Sequence, residues 1–89
     1  MSQAIVDPDE LRKFAASLTH YNDLVADATR ALQSQFNALG DTWRDQEQAK
    51  FAEEFEQTVR VIGQFQEASK EHIPLLLSKA KDIDNYLGR

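Results

Sequence analysis

The 89-residue sequence contains no cysteine, three glycines, two prolines and one tryptophan. Without cysteine there is no disulfide framework and no thiolate zinc site. Basic residues are scarce as well: ten Lys and Arg oppose fifteen Asp and Glu, for a net charge of −5. That balance excludes the basic stripe that a nucleic acid or an anionic membrane requires. Long apolar runs are missing. Ile73-Pro74-Leu75-Leu76-Leu77 is the longest, far below the roughly 20 residues that span a bilayer. The opening MSQAIVDPDE has neither the basic start nor the apolar stretch of a signal peptide. The expectation is a chain that is cytoplasmic when made and that is secreted, if at all, by a signal-peptide-independent route.

What is present is apolar periodicity. Asp7-Pro8-Asp9-Glu10 reads as an N-cap, Pro at the first helical position and acids in the first turn. Apolar residues then recur in steps of three and four at Leu11, Phe14, Leu18, Tyr21, Val25, Ala28, Leu32, Phe36 and Leu39. Gly40 follows and suits a left-handed position after the helix end. A second helix restarts within Asp41-Thr42-Trp43. It carries Phe51, Phe55, Val59, Ile62, Phe65, Ser69, Ile73, Leu76, Ala80, Ile83 and Leu87 at the same spacing. Pro74 removes a backbone bond to the carbonyl of Lys70, which predicts a kink or interruption there. Two long helices with a short connection must pack antiparallel. The predicted fold is all-α: one domain over 1–89, a helix-turn-helix hairpin of about 8–39 and 42–87, with residues 1–6 as an extended tail.

The lone Trp43 stands in the polar connection LGDTWRDQ. A ring there can fold over the end of the seam and cover Phe36 and Leu39, leaving its N–H near polar turn atoms. A helical hairpin of this length with a single Trp in its turn resembles the WXG family, the small ESAT-like proteins of type VII (ESX) secretion. Phe51, eight positions after Trp43, also fits that pattern. The turn motif comprises Gly40, Trp43 and Asp45; the family has Trp-x-Gly where this chain has Trp43-Arg44-Asp45. The family's export signal is Tyr-x-x-x-Asp/Glu beyond the second helix. Tyr21 has Val25 at the fourth following position, and Tyr86 is followed by Leu87, Gly88 and Arg89. The resemblance implies a non-enzymatic exported factor, or the partner of an exported chain, working through helix–helix contacts. Read without it, the residues describe a cytosolic dimerisation or adaptor module.

Folding the chain about residue 41 sets Pro8 opposite residue 74. On that count Leu75, Leu76, Leu77, Ile83 and Leu87 lack an intrachain neighbour if the rod stays straight. The alternative is that Pro74 bends the segment back over the first helix near Leu11 and Phe14. Leu24 and Ala31 widen the first helix's stripe beyond what one neighbour needs. Those seven residues form the predicted dimer interface of a four-helix bundle, made by a homodimer or by a heterodimer with a second WXG-like chain. Nothing reads as chemistry. His20 and His72 lack a third ligand, and the acids from Asp41 to Glu56 read as a solvated face. No phosphate loop or nucleophile–base pair is present. No catalytic residue, metal, cofactor or small-molecule ligand is expected.

Overall fold

The computed structural model describes residues 6–88 and contains two helices, α1 (Pro8–Leu39) and α2 (Gln46–Leu87), packed as an antiparallel hairpin. Most of the expected 1–6 tail lies outside the described residues. α1 starts as its sequence dictates. Asp7 is extended, its carboxylate accepts from the Asp9 N–H at 2.9 Å, and Pro8 occupies the first turn.

The turn departs from expectation twice. Gly40 is right-handed, at φ −61 and ψ −16, not left-handed. The backbone keeps winding past it: Thr42 N–H donates to the Leu39 carbonyl at 3.0 Å and Trp43 N–H to the same oxygen at 2.8 Å. This overwound end consumes Asp41, Thr42 and Trp43, so neither Asp41 nor Thr42 caps α2. The cap is Asp45, extended at φ −89 and ψ −174, whose carboxylate accepts from the Gln48 N–H at 2.9 Å. α2 therefore begins four residues later than the sequence pattern predicts. It then runs through Pro74 as one continuous element. Its end is set by Gly88, left-handed at φ 74, which donates to the Asn85 carbonyl at 3.2 Å.

The later start moves the register. The open end of the hairpin brings Arg12 to Asp84, and Ala80 is fully buried. The stretch after Pro74 thus does have an intrachain neighbour, the first turns of α1. The count about residue 41 failed because it assigned the turn too few residues.

On α1 the seam is rotated from the predicted stripe, while on α2 it follows most of that stripe. Its buried members are Ala15, Asn22, Ser69 and Ala80, with Leu11, Leu18, Val25, Phe36, Phe55, Val59, Ile62, Ile73, Leu76 and Ile83 half-buried beside them. Phe14, Tyr21, Leu32 and Leu39, all expected inside, are about half exposed, as are Phe51, Phe65 and Leu87. The apolar arc of each helix is wider than a two-helix contact. The helices meet at the edge where small side chains let the backbones approach, and the large ones flank that line. The molecule measures 63 × 27 × 16 Å with a radius of gyration of 19.8 Å. A compact domain of this length would have roughly 12 Å. It is one layer of helices, open on both broad faces.

Candidate functional site

The site that sequence and packing converge on is a surface. Along α1, positions 14, 18, 21, 25, 28 and 32 follow the 3/4 rule down one side. On α2 the matching flank carries Phe51, Phe65, Ala68 and, one heptad after Ala68, Leu75. Near the open end, Phe14, Leu18, Phe65, Ala68, His72 and Leu76 border a groove of about 300 Å³. Near the turn, Leu32, Phe51, Phe55, Thr58 and Ile62 border another of about 310 Å³. Between them the Tyr21 ring stands edge-on to Phe65, with centroids 6.3 Å apart. Phe14 remains 58% exposed and Phe65 52%. Rings of this size rarely stay in water in rows. Across the seam near the turn, a third groove is bordered by Gln33, Asn37 and Glu56 and is polar by comparison.

The interface expected from sequence is scattered over this geometry. Leu24, Ala31, Leu75, Leu77 and Leu87 are exposed, and Leu76 and Ile83 are half-buried in the intrachain seam. Leu75 and Leu77 flank Leu76 on opposite sides of α2, so one face cannot use both. Helical spacing read the rings as core or interface; the structure turns Phe36 and Phe55 toward the seam and leaves Phe14, Tyr21, Phe51 and Phe65 on the open face. The signal for them was the width of the apolar arc.

At the turn the motif residues do come together. Trp43 is half-buried and packs edge-on against Phe36, with ring centroids 6.5 Å apart. Phe36 in turn meets Phe51 and Phe55, each with centroids at 5.4 Å. The Trp thus caps an aromatic cluster that ties the end of α1 to the start of α2. Arg44 donates through Nε to the Gly40 carbonyl at 2.7 Å, closing the turn from outside. Asp45 occupies the N-cap, two residues after the Trp.

The periodicity placed Ser69 on the inward stripe, but neither Asn22 nor the Arg12–Asp84 ion pair was singled out from sequence. Asn22 is 8% exposed and Ser69 3%. The Arg12 guanidinium bonds both Asp84 and Asp9. The bond to Asp84 is the main cause that raises its pKa above the ordinary value. Neither histidine joins a cluster: His20 is exposed, and His72 lies on the apolar groove. Among the described residues no group of His, Cys, Asp and Glu could hold a metal ion, and no helix is long and apolar enough to cross a membrane.

Comparison with known proteins bears on this geometry. The family model WXG100, "Proteins of 100 residues with WXG", matches residues 3–85. Crystal structures of the secreted protein EsxB from Bacillus anthracis superpose on the hairpin. A selenomethionine-labelled form gives a TM-score of 0.75 at 23% identity, covering 97% of this chain and 98% of that one. A substituted form gives 0.74 at 24% identity, covering 96% and 98%. No curated protein matches the sequence.

Proposed function

The chain belongs to the WXG100 family, and from that premise we propose that it is a non-enzymatic small protein of a type VII-like secretion system. It is either an exported factor or the partner of an exported chain, and it acts by pairing helices with a second hairpin. The observation that carries this reading is the open apolar face running from Phe14 to Phe51 on a rod one helix thick.

The size of the exposed surface supports the pairing. The molecule exposes 7245 Å², where a compact monomer of its mass would expose roughly 5,300 Å². That excess, carried by each copy, is more than the roughly 800 Å² per partner that a standard interface removes from water. A second copy laid on this face forms a four-helix bundle. The rest of the surface, acidic and without a deep cleft, offers catalysis no walls.

Export is tested by expressing the tagged chain in a cell with a working type VII system. A parallel strain lacks that system's ATPase, and another lacks neighbouring WXG genes. Because Tyr21 has Val25, not an acid, at the fourth following position, the expected result is appearance in the medium only with both the ATPase and a partner. Retention inside the cell in every strain would overturn export and leave the cytosolic adaptor.

A further inference from the structure

Two heptad rows of α2 border the open face. One holds Phe51, Thr58, Phe65, His72 and Lys79. The other holds Glu47, Glu54, Val61, Ala68 and Leu75, and every member of both rows is exposed. Glu54 lines the apolar groove near the turn, and His72 lines the one near the open end. Eighteen positions separate them, which is five full turns, so both stand on one side of α2, about 27 Å apart. Neither makes an ion pair or a side-chain hydrogen bond among the described residues.

We infer that the two rows are complementary to each other in a second copy, laid α2 against α2 in the opposite direction and centred on residue 63, with Glu54 of each copy paired to His72 of the other. The inference rests on the pairing proposed above and adds its register and its charge pairs. Turn a second copy half a circle about an axis that crosses the rods in the plane of the face at that level. Val61 then lies over Phe65, Thr58 over Ala68 and Phe51 over Leu75, while Glu47 meets Lys79 and Glu54 meets His72. Apolar groups meet apolar groups, and each acid meets a base. Moving the axis by half a heptad destroys the match. In one direction Phe65 falls on Glu54; in the other Val61 falls on His72 and Phe51 on Asp82. A carboxylate pressed onto a ring loses its water without gaining a partner. Copies running in the same direction fare no better. Six of the fifteen acids but only two of the ten cations lie between Asp41 and Glu56, and those ends would stand side by side.

The Glu54–His72 pairs make association depend on pH. From α1, Phe14 and Leu18 face His72. The charged groups within a turn of those two are Glu10 and Lys13, paired at 3.6 Å, Arg12, bound to Asp9 and Asp84, and His20. On α2, Glu67 and Lys70 pair at 3.4 Å, Glu71 adjoins His72 and Lys79 lies two turns on. Near Glu54, Asp27 and Arg30 of α1 pair with each other, and α2 supplies Glu47, Lys50, Glu53 and the Glu56–Arg60 pair. All of these surround the two residues in a single copy as well, so what pairing adds to His72 is the second copy's Glu54. An imidazole gains its proton between about pH 8 and about pH 5. The paired state favours the protonated form, so association tightens as pH falls through that range.

The test is sedimentation equilibrium of the full chain at about pH 8 and about pH 6, at one ionic strength. An ion pair at an interface edge contributes about threefold, so the two symmetric pairs should make the dimer about tenfold tighter at the lower pH. His72→Gln is expected to flatten that dependence and His20→Gln to keep it. The exchange of Glu54→His with His72→Glu in one chain is expected to restore it, because the same two positions still meet. A dimer equally tight at both values, one tighter at the higher pH, or an exchanged variant without the dependence would overturn this register while leaving pairing intact. A chain that stays monomeric at both values at hundreds of micromolar would overturn the pairing itself, and this inference with it.

Discussion

Arg12 and Asp84, 72 positions apart in sequence, form the ion pair that closes the open end of the hairpin. The other ion pairs among the described residues join positions three or four apart on one helix, so they brace helices without holding them together. Asp84→Asn keeps the side chain's shape and removes its charge. Since the pair is partly exposed, the global melting point should hardly move. Amide exchange over residues 80–87 should rise instead, because the last turns lose their tether. Equal exchange in both proteins would show that Ala80 and Ile83 hold this end without the pair.

Truncation before Pro74 is a harsher form of the same experiment. It removes Ala80, Ile83 and Asp84, which cover the first turns of α1. Helicity measured by circular dichroism should fall by more than the deleted residues account for, since α1 would fray from Pro8 inward. A loss equal to the deleted residues would return to this segment the unpartnered character that counting about residue 41 gave it.

Asp45 explains how the chain keeps a WXG turn without the glycine. Its position, two residues after Trp43, is the N-cap of α2, with negative φ. An N-cap tolerates Gly at a loss of only a few tenths of a kcal/mol relative to Asp, whereas Ala loses about 1 kcal/mol. Asp45→Gly should therefore be nearly silent in chemical denaturation, and Asp45→Ala should cost about 1 kcal/mol. If the Gly variant is instead the more damaged, the capping account is wrong.

Trp43→Ala should cost about 2 kcal/mol. Truncating a fully buried Trp costs roughly 3–5 kcal/mol, and this ring is half-buried with one aromatic neighbour, Phe36. Trp43→Phe should recover more than half of the loss by keeping the edge-on contact. Denaturant titration followed by circular dichroism measures both. Identical losses for Ala and Phe would assign the stability to the indole N–H instead of the ring stack.

Helix identity was legible because caps and periodicity agree: Asp7-Pro8 sets one start, and no breaker interrupts α1. Register was not legible. It depended on how many residues the turn consumed, and Gly40 was read as a stop although the chain keeps winding to Trp43. Which flank of each arc turns inward was hidden for a related reason. Reading by hydrophobicity ranks Phe14 above Ala15 and Tyr21 above Asn22, but close helix approach favours the small side chains. Spacing alone left the rings as core or interface, and the extent of the open face appeared only once Ala15 and Asn22 were seen to take the inward places beside Phe14 and Tyr21.

That exchange of core for surface gives the sharpest test of pairing. Phe65 stands at the middle of the open face, beside Tyr21 and on the border of the groove that holds Phe14. In an isologous dimer every substitution acts twice. Burying a fully exposed Phe contributes roughly 1.5–3 kcal/mol; Phe65 is 52% exposed, so removing two weakens association by about 1.5–3 kcal/mol, at least tenfold. Phe65→Asp adds a carboxylate that the partner face cannot solvate, which deepens the loss. Sedimentation at tens of micromolar should show the unsubstituted chain as a dimer and Phe65→Asp as a monomer. Arg60→Ala serves as the control. Arg60 is exposed on another side of α2, where it pairs with Glu56 at 3.6 Å, and its loss should leave the dimer intact. If Arg60→Ala dissociates the chain while Phe65→Asp does not, pairing runs through the charged side and the apolar face serves another partner.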